Sequence, residues 1–322
     1  MAAHRFQPVP GLCSRTMQLI RRLDTVQPRD FVVTIGSFDG LHLGHQALIE
    51  RLLQHAAQRQ LPSMMLSFEP LPREYLQAAD PPARLTNLRE RWRLLSNRGL
   101  DQLCLLRFSE SLRSVSAEQF MELLHAAHAR VIVIGHDFRF GRGGLASAQW
   151  CLERAVHYGF TVDVVSPVAS GGERVSSGRI RSALAVGDLA SAQRLLGRPY
   201  SMRGRVSRGA QLGRTLGFPT ANLAVKRRRV PLAGVFAVWV RGAGTLREPW
   251  PAVASLGTRP MAGGGLPVLE ACLFDFDGDL YGCEIEVEFV ARLRDELTFE
   301  SMDAMVVQMH RDAAEARSIL GA

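Results

Sequence analysis

Two histidines three residues apart, His42 and His45, stand among glycines in the segment Gly36-Ser-Phe38-Asp39-Gly40-Leu-His42-Leu-Gly44-His45. An apolar run, Phe31-Val-Val-Thr-Ile35, precedes them, and a helical pattern over 46–59 with Leu48, Ile49, Leu52 and Leu53 on one face comes after. A buried strand that ends at Gly36, turns through Phe38-Asp39-Gly40 and enters a helix near His45 brings backbone N–H groups and a helix dipole to the carboxyl edge of a sheet. That edge is where α/β folds bind phosphate. Residues three apart share one side of the first helical turn, so both imidazoles are placed to donate to phosphate oxygens. Such donors stabilise charge that grows on an attacked α-phosphate and on the departing pyrophosphate, and no covalent intermediate is required. The pattern predicts a phosphate-binding turn suited to displacement at phosphorus.

A second set lies in Gly213-Arg-Thr-Leu-Gly217-Phe-Pro219-Thr220-Ala-Asn222, a glycine-rich approach to a proline-fixed turn with a hydroxyl and an amide two residues apart. Oxygen ligands of this kind suit Mg²⁺, which keeps water and phosphate oxygens in its shell. On residue types alone the segment reads as the turn into a strand. The lysine-bearing phosphate loop of many ATPases is absent, so a kinase here must cradle ATP another way. Phosphorylating a primary hydroxyl needs a carboxylate to take its proton. Glu270, Asp275, Asp277 and Asp279 all qualify by composition, although Asp277-Gly278 reads better as a hairpin turn.

The elements that must position these residues fall into two textures. Through the first half, short β-branched runs alternate with helical patterns, as in βαβ units with a parallel sheet. Strands are predicted at 31–35, 63–68, 102–106, 131–134 and 161–165, and helices at 46–59, 88–98, 117–129 and 148–158. Near Arg198-Pro-Tyr200 the chain changes to period-two strands and glycine-rich turns, predicted at 235–240, 268–276 and 284–289, with a closing helix over 301–319. Glu284-Ile-Glu-Val-Glu-Phe289 alternates cleanly, so one face is wet and one packed, as in an antiparallel sheet or small barrel. The domains expected are 17–185 and 199–322, joined by a linker over 186–198.

A chain of 322 residues with 47% apolar and 22% charged residues has the balance of a globular protein, which sets disorder aside. No apolar run approaches the roughly 20 residues needed to span a bilayer, and five scattered cysteines suggest neither a disulfide framework nor a zinc cage, so a cytoplasmic address is expected. The net charge of +8 is spread along the chain, and its densest run, Lys226-Arg-Arg-Arg229, reads as a solvated loop, so a nucleic-acid partner is not expected. Lys226 is the only lysine, which excludes chemistry that demands a lysine elsewhere.

The first segment resembles the His-x-Gly-His motif of nucleotidyltransferases, and Gly36-x-Phe-Asp-Gly-x-His-x-Gly-His45 in full is similar to the N-terminal module of the bacterial bifunctional riboflavin kinase/FMN adenylyltransferase family. Gly135-His-Asp137-Phe-Arg-Phe-Gly141 and Val175-Ser176-Ser177-Gly178-Arg179-Ile-Arg181 resemble that family's adenosine-side loop and phosphate motif. Gly217-Phe-Pro219-Thr220-Ala-Asn222 resembles its kinase signature, together with 234–238, 257–260 and 269–282. The resemblance implies a Rossmann-like parallel-sheet nucleotidyltransferase domain followed by an antiparallel β-barrel kinase domain with a C-terminal helix. It implies riboflavin, FMN and ATP as substrates and Mg²⁺ as cofactor. Gly36, Phe38, Asp39, Gly40, His42, Gly44, His45, Asp137, Ser176, Ser177 and Arg179 would then hold ATP for adenylyl transfer. Gly213, Gly217, Pro219, Thr220 and Asn222 would hold Mg-ATP for the kinase, with Thr220 and Asn222 on the metal, Glu270 as base, and Arg294 and Glu296 near the flavin. Gly178 stands where the family usually has Thr, so a riboflavin kinase with a weakened adenylyltransferase domain is the alternative reading.

Overall fold

The computed structural model describes residues 16–208, 217–242, 248–258 and 266–322. The chain divides into two compact units, one of residues 1–82 and 91–175, the other of 83–90 and 176–322.

In the first unit the elements run β1 (Gln18–Ile20), β2 (Phe31–Ile35), α1 (Leu43–Arg59), β3 (Ser63–Glu69), α2 (Pro72–Leu76), α3 (Leu88–Ser96, divided between the units before Arg91) and β4 (Gln102–Arg107). They continue with α4 (Glu110–Arg113), α5 (Ala117–Ala126), β5 (Ala129–Gly135), a short hairpin of β6 (Arg139–Phe140) and β7 (Ala146–Ser147), α6 (Ala148–Arg154), β8 (Thr161–Val165), and a second hairpin of β9 (Ala169–Ser170) and β10 (Glu173–Arg174). Six strands pair in parallel in the order β1-β4-β3-β2-β5-β8. Alternate residues of the central strands feed two cores. Val33, Ile35, Leu66, Ile132 and Ile134 pack with Phe120, Leu124 and Cys151 on one face, while Val32, Met65, Val131 and Val133 pack with Ile49, Leu52 and Leu95 on the other. A sheet covered on both faces explains why its strands are nearly continuous apolar runs. The chain builds outward from β2 through β3 to β4, then places β5 and β8 on the other side of β2. The crevice between the carboxyl ends of β2 and β5 is therefore the topological switch point, where such sheets bind ligands.

Several helix ends differ from the sequence pattern, two of them for visible reasons. α1 starts at Leu43 instead of Gln46, because His42 caps it. The helix expected over 117–129 stops at Ala126, since His128 takes a left-handed φ of 71° and Ala129 already belongs to β5.

The second unit holds α7 (Ser177–Ala185), α8 (Leu189–Leu196), β11 (Ser201–Ser207), β12 (Ala221–Ala224), β13 (Gly234–Gly242), β14 (Trp250–Thr258), β15 (Pro267–Leu273), β16 (Glu284–Arg294) and α9 (Met302–Leu320). The six strands close into an antiparallel barrel in the order β11-β12-β15-β14-β13-β16. Ile285, Val287 and Phe289 are buried while Glu284, Glu286 and Glu288 are only partly so, which matches the alternation of that segment. Residues 186–198, expected as a linker, instead carry α8, capped by the Asp188 side chain accepting from the Ser191 N–H at 2.9 Å, with Leu189, Ala192, Leu195 and Leu196 buried. Apolar residues three and four apart form the stripe that a packed helix needs. By contact, α7 and α8 belong with the barrel.

The Lys226–Arg229 run is not wholly solvated. Arg227 is 3% exposed, its Nε donates to the Arg84 carbonyl at 3.1 Å and its Nη2 to the Leu85 carbonyl at 3.0 Å, and it pairs with Glu90. Glu90 in turn accepts from the backbone N–H groups of Arg203 and Asn87, each at 2.8 Å. Burial pushes the Glu90 carboxyl upward and Arg227 pulls it back. Removing one member of a buried pair strands the other charge. Arg227→Met should therefore destabilise the second unit by about 3–5 kcal/mol in urea denaturation. A loss indistinguishable from that of an exposed arginine would contradict this placement.

Candidate active sites

The turn after β2 is built from backbone conformations that side chains rarely adopt. Phe38 and Leu41 have φ of 50° and 43°, and Gly40 has 85°. Both apolar residues are buried, Phe38 at 0% and Leu41 at 1% exposure, so packing holds what sterics disfavour. His42 then caps α1, its Nδ1 accepting from the His45 backbone N–H at 3.3 Å. Because Nδ1 accepts, the proton of a neutral imidazole must sit on Nε2, which makes Nε2–H a donor for an incoming group. The His42 and His45 rings stack with centroids 3.6 Å apart and 15° between planes, and Phe38 lies 5.1 Å from His45. Gly44 leaves room for this stack, since a Cβ there would meet the His42 ring at 3.2 Å.

Both imidazoles are held neutral. Burial, then the Arg174 charge, lowers His42 from 6.5 to about 4, against a smaller upward pull from Asp39. Burial, His42 and Arg91 push His45 well below its ordinary value. The Nδ1 of His45 is buried with no hydrogen-bond partner among the described residues. Asp39, 2% exposed, lies in the same turn. From the other side of the switch point, the Gly135-His136-Asp137 turn leaves β5, and Asp137 pairs with Arg174 of β10 at 2.7 Å. The first unit thus brings together Gly36, Phe38, Asp39, Gly40, His42, Gly44, His45 and Asp137. Sequence reasoning passed over Arg174, although it adjoins the Val175-Ser176 motif.

Ser176, Ser177 and Arg179 fall in the second unit, at the start of α7. Ser176 is the helix cap, accepting from the Arg179 N–H at 3.3 Å. A Cβ on Gly178 would meet only the Ser176 Oγ, at 3.7 Å, so the missing hydroxyl is not excluded by space.

In the barrel, Gly217 turns the chain with φ of 81° into Phe218, Pro219, Thr220 and β12. Asn222 Nδ2 donates to the Thr220 carbonyl and Oγ1, each at 3.3 Å. In the strand registers Asn222 stands opposite Glu270 of β15, and Glu270 opposite Ser255 of β14. Directly opposed residues share a face. Leu223, Leu269 and Ala271 are buried on the inward face, so Asn222, Glu270 and Ser255 lie on the outer one. A cavity of about 570 Å³ is lined by Pro219, Thr220, Asn222, Phe276, Asp277, Asp279 and Tyr281. Oxygen donors there fit a metal that retains water and phosphate, and no cluster of three His, Cys, Asp or Glu among the described residues offers a closed cage. Asp275 is instead paired with Arg317 of α9 at 2.8 Å.

Gly213 lies outside the described residues. Arg294, expected near the flavin, forks onto the buried Asp312 of α9 with contacts of 2.9 and 2.6 Å, and so ties α9 to β16. The Glu296 carboxyl is raised by burial and opposed by Arg294. It lies where a Cβ on Gly257 would be, 1.8 Å from Oε1, so that glycine is required by close approach.

A glycine-rich turn with two imidazoles at the switch point of a doubly wound sheet, followed along the chain by a barrel with an oxygen-donor turn and a carboxylate on adjacent strands, has the form of an ATP-using transferase with two modules. The model of the FAD synthetase family matches residues 24–179, and that of the riboflavin kinase family matches 196–320. Bifunctional riboflavin kinase/FMN adenylyltransferases of Pseudomonas fluorescens and Escherichia coli K12 are 42% and 41% identical, covering 94% and 95% of this chain and 98% of each relative. A crystal structure described as a macrolide-efflux protein from Streptococcus pneumoniae is 33% identical, covers 94% of this chain and 99% of its own, and superposes with a TM-score of 0.77. Among the described residues no helix is long and apolar enough to cross a membrane. The chain belongs to the bifunctional riboflavin kinase/FMN adenylyltransferase family.

The neutral state of His42 has a pH signature. Between its ordinary value of 6.5 and about 4, the unfolded chain binds a proton that the native chain does not. Stability is therefore lost as pH falls through that window. His45 acts in the same direction. In urea denaturation monitored by Trp92 and Trp150, His42→Asn, which keeps a capping acceptor, should flatten the loss. An unchanged slope would mean that His42 is already charged in the fold.

Proposed function

We propose an assignment of the two reactions to these two residue sets. The chain phosphorylates riboflavin to FMN with ATP, and adenylylates FMN to FAD with release of pyrophosphate. The observation that supports the assignment is that the stacked histidines lie at the switch point of the sheet in the first unit, while Thr220, Asn222 and Glu270 lie across β12 and β15 in the second.

In the barrel, Glu270 accepts the proton of the riboflavin 5′-hydroxyl as its oxygen bonds to the γ-phosphorus of ATP and the bond to the β-phosphate oxygen breaks, leaving ADP. Thr220 and Asn222 orient the triphosphate and would hold Mg²⁺, which would supply neutralisation of the phosphate charge. Gly217 and Pro219 shape the turn that presents them. Glu296, beside Gly257, is the flavin-side residue of this reading, and Arg294 supports it by fixing α9.

In the first unit a phosphate oxygen of FMN bonds to the α-phosphorus of ATP while the bond to pyrophosphate breaks, and no proton need be taken. His42 Nε2–H and His45 donate to the phosphates as charge shifts toward pyrophosphate. Gly36, Phe38, Asp39, Gly40 and Gly44 shape the turn, and Asp137 positions the nucleoside. Assigning the hold on pyrophosphate to Ser176, Ser177 and Arg179 rests on the motif and on the helix start that they form. We place both reactions in the cytoplasm with free thiols, the buried Cys104 being pushed up to about 12 by desolvation.

Flavins should be separated by chromatography after incubation of the protein with riboflavin or with FMN, ATP and Mg²⁺. Wild-type protein should give FAD from both, and excess chelator should stop both steps. Glu270→Gln should lose FMN formation by about 10²–10⁴-fold while still converting FMN to FAD. Equal loss of both steps in that variant would overturn the separation of sites.

A further inference from the structure

Arg91 is among the most enclosed charged side chains of the molecule, 1% exposed on α3, and neither reaction uses it directly. Its Nη1 donates to the Ser37 carbonyl at 2.9 Å and to the Ser67 Oγ at 3.0 Å, and its Nη2 to Glu69 Oε2 at 3.0 Å. Ser67 Oγ itself donates to the Ser37 carbonyl at 3.3 Å. The guanidinium therefore grips the residue at which the chain leaves β2, and braces it against the end of β3.

The residues just beyond Ser37 depend on that grip. Phe38 takes a left-handed φ of 50° and presses its ring on His45, 5.1 Å away. His45 stacks on His42 at 3.6 Å. A turn with two non-glycine residues at positive φ persists only where its surroundings over-determine it. A planar guanidinium fork, which a lysine cannot reproduce, is suited to that task. The Arg91 charge also helps to keep His45 unprotonated.

We propose that Arg91 is a positioning residue for adenylyl transfer, fixing the Ser37–Phe38 turn so that the stacked imidazoles meet the phosphates in their reactive geometry. The inference rests on the reading of the His42/His45 turn as the adenylyl-transfer site. A misplacement of about 1 Å in such a site costs on the order of a hundredfold in rate. Interactions that improve only in the transition state appear in kcat, whereas general loosening of the fold lowers both activities and the melting temperature together.

The test uses the full chain with Arg91→Met and Arg91→Lys, measuring FMN adenylylation, riboflavin phosphorylation and thermal melting side by side. Arg91→Met should lose about a hundredfold in kcat for FAD formation, with KM for ATP changed by less than about threefold and with riboflavin phosphorylation kept. Arg91→Lys, retaining charge but not the fork, should recover about tenfold of that loss. If Arg91→Met fails to give a cooperative melt, Arg91→Lys decides alone, by a loss of kcat of about tenfold without loss of kinase activity. Wild-type kcat in either folded variant, or a loss shared equally by both reactions, overturns the inference. Wild-type protein that makes no FAD from FMN overturns the reading of the site, and this inference with it.

Discussion

The hydrogen bond from the His45 backbone N–H to His42 Nδ1 settles three matters at once. It satisfies a donor that the first turn of α1 would otherwise leave open, so the helix starts at Leu43. It commits the proton of a neutral His42 to Nε2. And it fixes the ring on which His45 stacks at 3.6 Å. Much of the surrounding unit serves to keep that arrangement buried. The sheet changes direction beside it, Gly44 leaves the space, Phe38 walls it, and Arg174 adds a positive charge that opposes protonation.

Two buried, uncharged imidazoles make a preorganised pair of dipoles. They need not shed a shell of water when phosphate arrives, and they do not repel each other as two imidazoliums would. For the proposed adenylyl transfer, such a pair would supply charge stabilisation without a covalent intermediate. The barrel positions its candidate residues by different means. There, strand register replaces helix capping, setting Asn222 opposite Glu270 on an outer face whose inward neighbours Leu223 and Leu269 are buried. Arg294 forked on Asp312 ties α9 to β16, and Phe218 beside Thr220 lies 4.8 Å from His310 of the same helix.

Much of this was legible in the amino-acid sequence, for physical reasons. Phe31–Ile35 is an apolar run and Thr161–Val165 a β-branched one, each bounded by turn residues, and both formed strands with the expected limits. The alternation of Glu284–Phe289 told inside from outside directly. What stayed hidden were partners remote in sequence. Glu90 and Arg227 meet across 137 positions, and a basic run gives no sign that one of its members is buried. Arg91 sits in a pattern indistinguishable from that of a surface arginine until β3 folds beside it, and Arg174, itself exposed on β10, is marked only by its pairing with Asp137 beyond β5. The place at which the chain changes units was hidden as well. Composition shifts near Arg198, but contacts already change at Ser176 and take in 83–90, because α7 and α8 pack with later elements of the chain. For the candidate site residues, the motifs supplied the choice and the structure the local geometry.

The central claim is that His42 is neutral, with its proton on Nε2. Two-dimensional ¹H–¹⁵N correlation spectra of the imidazoles, with His42→Asn for assignment, read this directly. The account predicts that at about pH 7 the His42 Nδ1 is unprotonated and Nε2 carries the hydrogen, and that this pattern persists as the pH is lowered through 6.5 toward about 4. A His42 imidazolium already present at about pH 7, or a proton on Nδ1, would contradict it.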